Sequence, residues 1–86
     1  MRVFVSSHMR HYTEGCEEID ARGATLKQVL RDLDRRYPGL QFRLVDEQDH
    51  VRPHIRLFVN GAATRDLRQR LSAKDEIHIL GALSGG

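Results

Sequence analysis

One segment of the chain, residues 25–37, has the apolar spacing of an amphipathic helix, and it limits the folds open to the rest. Its apolar residues recur three and four positions apart and are Leu26, Val29, Leu30, Leu33 and Tyr37. Thr25 is placed to cap the helix, with Gln28 three residues later, and Pro38-Gly39 is placed to end it. The apolar face must be buried against another layer, and the only candidate here is a sheet.

Four segments have the composition and alternation of strands: residues 1–7, the weaker 16–20, 54–59 and 76–80. Alternation predicts that the following side chains face the helix: Val3, Val5, Ile55, Leu57, Val59, Ile77 and Ile79, with Cys16 or Ile19 from the weaker strand. Asn60-Gly61 predicts a tight turn, because both residues tolerate positive φ. The pattern of strands around one helix predicts an α+β domain.

Two connecting segments are less clearly defined by the sequence. Residues 8–15 are mostly polar and include Gly15, which favours a connecting turn. Leu40, Phe42 and Leu44 alternate briefly, so this stretch either forms a short strand or packs under the end of the helix. Leu67 and Leu71 lie in a loop before the last strand.

Length and charge limit the function. A chain of 86 residues buries only about 60% of its unfolded surface, too little for a deep cavity and a full catalytic apparatus. No acid–base pair or nucleophile–base pair stands out, so we expect no catalytic residue. The net charge is only +2, and Arg65, Arg68 and Arg70 form a weak cluster without interleaved aromatics. The sequence therefore predicts no nucleic-acid partner.

Cysteine and histidine usage gives no sign of a metal site. Cys16 is the single cysteine, so no internal disulfide or multi-thiolate site can form. The five histidines lack companion ligands at suitable spacing. No apolar run approaches the length of a signal peptide or a membrane span, so we expect a cytoplasmic protein without a membrane partner.

The outer face of the predicted sheet, which points away from the helix, is unusually apolar. Alternation places Phe58, His78 and Leu80 on it, together with Phe4. Solvent faces of strands are normally polar, and a contiguous apolar cluster on one indicates a partner surface. The alternative is that these side chains are separated or half covered by loops.

The segment after the last strand ends in two glycines. Its residues are Gly81, Ala82, Leu83, Ser84, Gly85 and Gly86. We expect a folded domain over residues 1–80 and a flexible tail over residues 81–86. Glycine lets backbone enter a space too narrow for side chains, so the carboxylate of Gly86 is suited to another protein's active site. A frayed terminus is the plain alternative.

Several segments resemble, in their order, the ubiquitin-like sulfur carriers, the family of the molybdopterin-synthase small subunit and the thiamine sulfur carrier (MoaD/ThiS). They are the opening Met-Arg-Val-Phe-Val-Ser-Ser, the Thr25-capped helix, Phe58-Val59-Asn60-Gly61, residues 71–77 and the final Gly85-Gly86. Two departures are the lack of prolines before those glycines and Lys74-Asp75 in place of Gly-Asp. The residues Arg52-Pro53-His54 are more similar to carriers for amino-acid or secondary-metabolite sulfur. The resemblance implies a ubiquitin-like β-grasp fold, with a mixed sheet of four to five strands on one main helix.

The resemblance also implies a function for the tail. A ubiquitin-activating-like enzyme, an adenylyltransferase and sulfurtransferase, would use ATP to adenylate Gly86. A sulfur donor would then displace AMP and leave a thiocarboxylate for a downstream sulfur-accepting synthase. Phe4, Phe58, His78 and Leu80 would dock the partner, and the chain itself would hold no cofactor.

Two other functions remain open at this point. A ubiquitin-like modifier would use the same activated Gly86 to form an isopeptide bond with a target lysine. A non-covalent β-grasp binding subunit would have no use for the tail, so blocking its C-terminus would change nothing.

Overall fold

The computed structural model of the protein describes residues 1–81. Five strands form one mixed sheet in the order β2-β1-β5-β3-β4. The strands are β1 (Arg2–Val5), β2 (Glu18–Asp20), β3 (Ile55–Val59), β4 (Ala62–Thr64) and β5 (Glu76–Gly81). The helices are a 3-10 helix (Ser7–Thr13), α1 (Leu26–Arg36) and α2 (Leu40–Leu44). The central strands β1 and β5 run parallel, and every other neighbouring pair is antiparallel.

Helix α1 forms where the apolar spacing predicts it. The Oγ1 atom of Thr25 accepts a hydrogen bond from the Gln28 backbone N–H at 3.3 Å, and the Gln28 side chain accepts one from the Ala24 N–H at 2.7 Å. The backbone N–H groups of the first helical turn, at residues 26 and 27, donate to the carbonyls of Gln69 and Leu67. The helix start is thus capped by its own side chains and by the loop before β5.

The core lies between α1 and the inner face of the sheet. The strand residues predicted to face the helix are buried: Val3, Val5, Ile55, Leu57, Val59, Ile77 and Ile79. In the weaker strand it is Ile19 that faces the helix, and Cys16 is exposed. Leu26, Val29, Leu30 and Leu33 of α1 are fully buried. Tyr37 follows the last helical residue and is half-buried at the edge of this core. The α+β fold with a mixed sheet packed on one main helix is confirmed.

The predicted turn at Asn60-Gly61 joins β3 to β4. Asn60 has φ of 51° and Gly61 has φ of 86°, so both adopt the left-handed conformation that a tight hairpin turn needs. Strand β4 has the sequence Ala-Ala-Thr and carries no alternating pattern, so the sequence predicts only a loop there. Its pairing with β3 completes five strands.

The sequence leaves residues 40–44 open between a strand and packing under the end of the helix. They form the short helix α2, which packs against α1, buries Leu40 and Leu44 and leaves Phe42 exposed. Two other expectations from the sequence are corrected. The 3-10 helix replaces a simple turn over residues 7–13, because burial of Met9 and Thr13 holds it against the domain. Gly81, expected to start the tail, is the last residue of β5 and is buried.

Candidate functional site

A row of side chains crosses the outer face of the sheet on all five strands. Phe4 of β1 lies opposite His78 of β5, and Phe58 of β3 lies opposite His78 on the other side. Glu18 of β2 and Ala63 of β4 extend the row to the two sheet edges. The structure thus brings together residues from strands that are distant in the chain.

The rings of Phe4 and His78 form the centre of this row. Their centroids are 4.7 Å apart and their planes differ by 20°, which is a stacked arrangement. The Arg2 guanidinium carbon lies 5.0 Å from the centroid of the Phe4 ring, within cation–π range. Both rings are half-buried, and so is Phe58. The centre of the face is therefore partly covered by its own side chains.

Arg2 also connects acidic side chains on the two neighbouring strands. Its Nε and Nη2 atoms donate to the Glu18 carboxylate at 3.0 and 3.2 Å, and Nη1 lies 3.5 Å from the Glu76 carboxylate. The hydrogen bond between Arg2 and Glu18 lowers the pKa of the carboxyl and raises the pKa of the guanidinium. All these groups are solvent-accessible, so the pairs add little stability. One arginine and two carboxylates therefore place polar, charged groups beside the aromatic centre.

Leu80 carries the apolar surface toward the end of β5. It follows His78 by two positions, lies on the same face and is 40% exposed. Its partner on β3 is Arg56, whose Nη1 atom donates to the Pro53 and Ile55 carbonyls at 2.7 and 3.1 Å. Backbone carbonyls therefore hold this guanidinium beside Leu80. We call Phe4, Phe58, His78 and Leu80 the outer patch.

A shallow depression of about 400 Å³ lies along the outer patch beside β1. Its lining residues are Phe4, Val5, Ser6, Arg10, Glu17, Glu18, His78, Ile79 and Leu80. Arg10 is one of these lining residues. Its Nη2 atom pairs with the Glu17 carboxylate at 3.2 Å, and its Nε atom donates to the Val5 carbonyl at 3.2 Å. The depression is open and suits the side chain of a docked protein better than an enclosed ligand.

Sequence reasoning assigns Gly81 to the tail, but it does not predict the contacts that Gly81 makes at the end of β5. Gly81 pairs with Ile55 of β3, and its backbone N–H donates to the hydroxyl oxygen of Ser6 at 3.1 Å. The buried side chain of Met9 packs against it. The sequence predicts Ser6 within the first strand and Met9 within the polar connection, but neither pattern indicates a contact with Gly81. The other predicted tail residues, Ala82, Leu83, Ser84, Gly85 and Gly86, lie outside the described residues.

A second exposed aromatic side chain lies away from the outer patch. Phe42 on α2 is 56% exposed, and the Arg52 guanidinium carbon lies 4.5 Å from its ring centroid. Arg52 also donates from Nε to the Phe42 carbonyl at 2.7 Å. The sequence does not predict this position, because the alternation of residues 40–44 leaves open whether they form a strand or pack under the end of the helix.

Within residues 1–81, no three His, Cys, Asp or Glu side chains are grouped so that they could hold a metal ion. None of the helices described there is both long and apolar enough to cross a membrane.

The architecture, one helix held by a five-stranded sheet with parallel central strands, defines a ubiquitin-like β-grasp protein. A family model described as the ThiS family matches residues 3–86. The chain therefore belongs to the ThiS family. The predicted resemblance to this class of proteins is confirmed.

The relatives that the chain resembles cover nearly its whole length. The sulfur carrier protein CysO of Mycobacterium tuberculosis (strain ATCC 25618 / H37Rv) is 30% identical over 89 aligned residues, which cover 98% of this chain and 96% of that protein. A crystal structure of the Amycolatopsis orientalis BexX/CysO complex contains a chain with 30% identity and a TM-score of 0.89, over 99% of this chain and 98% of that one. The solution structure of small archaeal modifier protein 1 from Methanosarcina acetivorans has 28% identity and a TM-score of 0.82, over 99% of this chain and 94% of that one.

Proposed function

We propose that this protein is a sulfur carrier whose reactive group is the carboxylate of Gly86. The observation that carries the proposal is the near full-length similarity to the CysO sulfur carrier proteins. The family match also extends through the terminal glycines to residue 86. The chain is then a protein co-substrate of other enzymes, which bind ATP and provide the catalytic groups.

The chemistry follows from the weakness of a carboxylate as an electrophile. In the first step a carboxylate oxygen of Gly86 attacks the α-phosphorus of ATP, which forms an acyl adenylate and releases pyrophosphate. In the second step hydrosulfide attacks the acyl carbon, and the bond to AMP breaks with its electron pair leaving on AMP. One proton is lost and nothing is oxidised or reduced. The resulting thiocarboxylate is a nucleophile that a second enzyme can align with its acceptor.

Intact mass spectrometry gives a direct test of this function. The protein is incubated with ATP, sulfide and a ubiquitin-activating-like adenylyltransferase from the same organism. We expect the mass to rise by the difference between one sulfur and one oxygen, and the fragment that contains Gly86 to carry the change. The matched reaction without ATP should leave the mass unchanged. An unmodified chain in the complete reaction, with an enzyme that is active on another carrier, would contradict the proposal.

We further propose that the outer patch docks the activating enzyme. Leu80 is exposed, the Phe4 and His78 rings are stacked, and ion pairs of Arg2 with two carboxylates lie beside them. An interface with an apolar centre and a polar rim has this arrangement. The BexX/CysO complex of Amycolatopsis orientalis supports the idea that a carrier of this fold binds partner proteins. We propose a downstream sulfur-accepting synthase as a second partner.

Serine substitutions at Phe58 and Leu80 test the docking surface. Each should weaken binding to the activating enzyme by about tenfold or more, since central apolar contacts dominate interface energies. The melting temperature should fall only slightly, because neither side chain belongs to the buried core. Isothermal calorimetry and thermal melts measure the two effects.

Phe42→Ser provides the matched control for these substitutions. Phe42 is more exposed than Leu80 but lies on α2, so its loss should leave affinity unchanged. A large loss of stability at Phe58 and Leu80 with unchanged affinity would show that they only support the fold.

A protein modifier is the second candidate, favoured by the similarity to small archaeal modifier protein 1 of Methanosarcina acetivorans. It uses the same adenylated Gly86, but a lysine amine of a target protein displaces AMP in place of hydrosulfide. Isopeptide-linked peptides from cells that express the tagged chain would support it. A thiocarboxylate without such conjugates would support the carrier alone.

A further inference from the structure

We infer that Ser6, Met9 and Gly81 form an anchor that fixes where the terminal segment leaves the domain, and so sets the length of the tether that carries Gly86. The inference rests on the proposed function, since it matters only if Gly86 is the reactive end. It assigns positioning roles to Ser6 and Met9 in the connection after β1.

The space at Gly81 is closed by the side chain of Met9. A Cβ atom at Gly81 would lie 2.6 Å from the Met9 sulfur and 2.8 Å from its Cγ atom, both well inside ordinary contact. Gly81 is not among the glycines with positive φ, which are Gly15, Gly39 and Gly61. A side chain at this position would therefore displace the Met9 side chain, whereas the backbone conformation of Gly81 makes no demand for glycine.

Movement of the Met9 side chain would disturb core packing, because this side chain is only 5% exposed and belongs to the core. It is one of two buried residues in the 3-10 helix, and the other is Thr13. The Thr13 hydroxyl lies within hydrogen-bond distance of the carbonyl oxygens of Arg10 and Cys16, at 3.1 and 2.9 Å. These contacts hold the C-terminal end of the 3-10 helix in place. A residue larger than glycine at 81 would have to push Met9 out of a braced and packed position.

Ser6, which follows β1, makes hydrogen bonds to β5 and to the 3-10 helix. Its backbone N–H donates to the Ile79 carbonyl at 2.9 Å, which extends the pairing of β1 with β5. Its carbonyl accepts from the Met9 N–H at 2.9 Å and so starts the 3-10 helix. Its hydroxyl accepts from the Gly81 N–H at 3.1 Å. One serine thus links the end of β1, the start of the 3-10 helix and the end of β5.

The anchor determines how far the terminal carboxylate can reach. Five residues follow Gly81, which permits at most about 17–18 Å of extended chain. If the last two residues of β5 separated from the sheet, seven free residues would permit about 23–25 Å. A longer and less directed tether lowers the effective concentration of Gly86 in a docked active site. Ordering β5 through Gly81 therefore favours the adenylation step after docking.

The first test asks whether the anchor exists, and it needs no partner. Amide hydrogen exchange is followed by NMR in the full chain and in the variants Ser6→Ala, Gly81→Ala and the double variant Gly81→Ala/Met9→Ala. Loss of the Ser6 hydroxyl should speed exchange of the Gly81 amide by roughly two- to tenfold, the effect of one hydrogen bond. Gly81→Ala should speed exchange at Leu80 and Gly81, and the double variant should restore part of the protection. The control Ser7→Ala, at the exposed next position, should change neither amide.

The second test asks whether the anchor positions the tail. Pyrophosphate release is measured with the activating enzyme below the melting temperature of each variant. At a saturating concentration of the carrier, where altered docking through Leu80 no longer limits the rate, Gly81→Ala should lower kcat by about tenfold or more. The double variant should recover a large part of kcat, which a simple loss of stability would not allow.

The outcomes separate the anchor from the proposed function. A parent chain that releases no pyrophosphate would overturn the proposed function, and the positioning role with it. An active parent with an equally active Gly81→Ala variant would overturn the positioning role alone. Unchanged amide exchange in both Ser6→Ala and Gly81→Ala would show that the anchor does not hold the strand end.

Discussion

Deletion of Gly86 should reduce adenylation by about a hundredfold or more without changing the melting temperature. The deletion moves the terminal carboxylate back by about 3.3 to 3.6 Å of extended chain. Errors of only about 1 Å in the position of a reacting group can cost a hundredfold in rate. The core residues found within the described range end at Ile79, so the folded domain should be unaffected. Pyrophosphate release and thermal melts measure the two quantities.

Addition of one alanine after Gly86 is the matched opposite change. It moves the carboxylate outward by one residue and places a Cβ atom where a glycine-sized channel has no room. The same loss of adenylation and the same unchanged melting temperature are expected. If the shortened and extended chains are adenylated as fast as the parent, Gly86 is not the reactive end. The carrier and modifier functions would then both be excluded, and a non-covalent binding subunit would remain.

The main elements of the fold could be predicted because their sequence patterns are long and unambiguous. The stripe from Leu26 to Leu33 extends over two helical turns, and Ile55, Leu57 and Val59 alternate over a whole strand. Residues 40–44 are too short for this reasoning. Leu40 and Leu44 lie on one face of a strand, but they also lie on one face of a helix because they are four positions apart. Packing of this segment against α1 favours the helix.

The connection after β1 could not be predicted, because its structure depends on distant contacts. Ser7–Thr13 has no regular apolar spacing, and Met9 is buried in the core, where it packs against the end of β5. Sequence reasoning assigns Gly81 to the tail for the same reason. A glycine before a short segment rich in small residues suggests a flexible arm, and only the position of the Met9 side chain shows that it is packed.

The outer patch was predicted in its members but not in its arrangement. Alternation gives the face on which Phe4, Phe58 and His78 lie, but it does not give which strands are neighbours. Phe4 meets His78 because β1 and β5 are parallel partners, although these residues are at opposite ends of the chain. Cross-strand register of this kind depends on the tertiary fold. The roles of the patch and of Gly86 stay predictions for the experiments above.

Alanine substitution at Leu30 or Leu57 should cost about 2 to 5 kcal/mol of unfolding free energy. Leu30 is fully buried on α1, and Leu57 is 1% exposed on the facing side of β3. Removal of either side chain leaves a cavity between two layers whose backbones are fixed by the helix and by the sheet pairing, so little collapse can relieve it. Urea titrations of the purified variants give the free energies.

Arg31→Ala is the control for these two substitutions. Arg31 directly follows Leu30 on α1, but its side chain is exposed to solvent. Its loss should change the unfolding free energy by no more than about 0.5 kcal/mol, as is usual for surface positions. Similar losses at all three positions would mean that α1 does not bury the stripe that contains Leu30. The outer patch would then lack the packed helix and sheet that hold Phe4, Phe58 and His78 in one row.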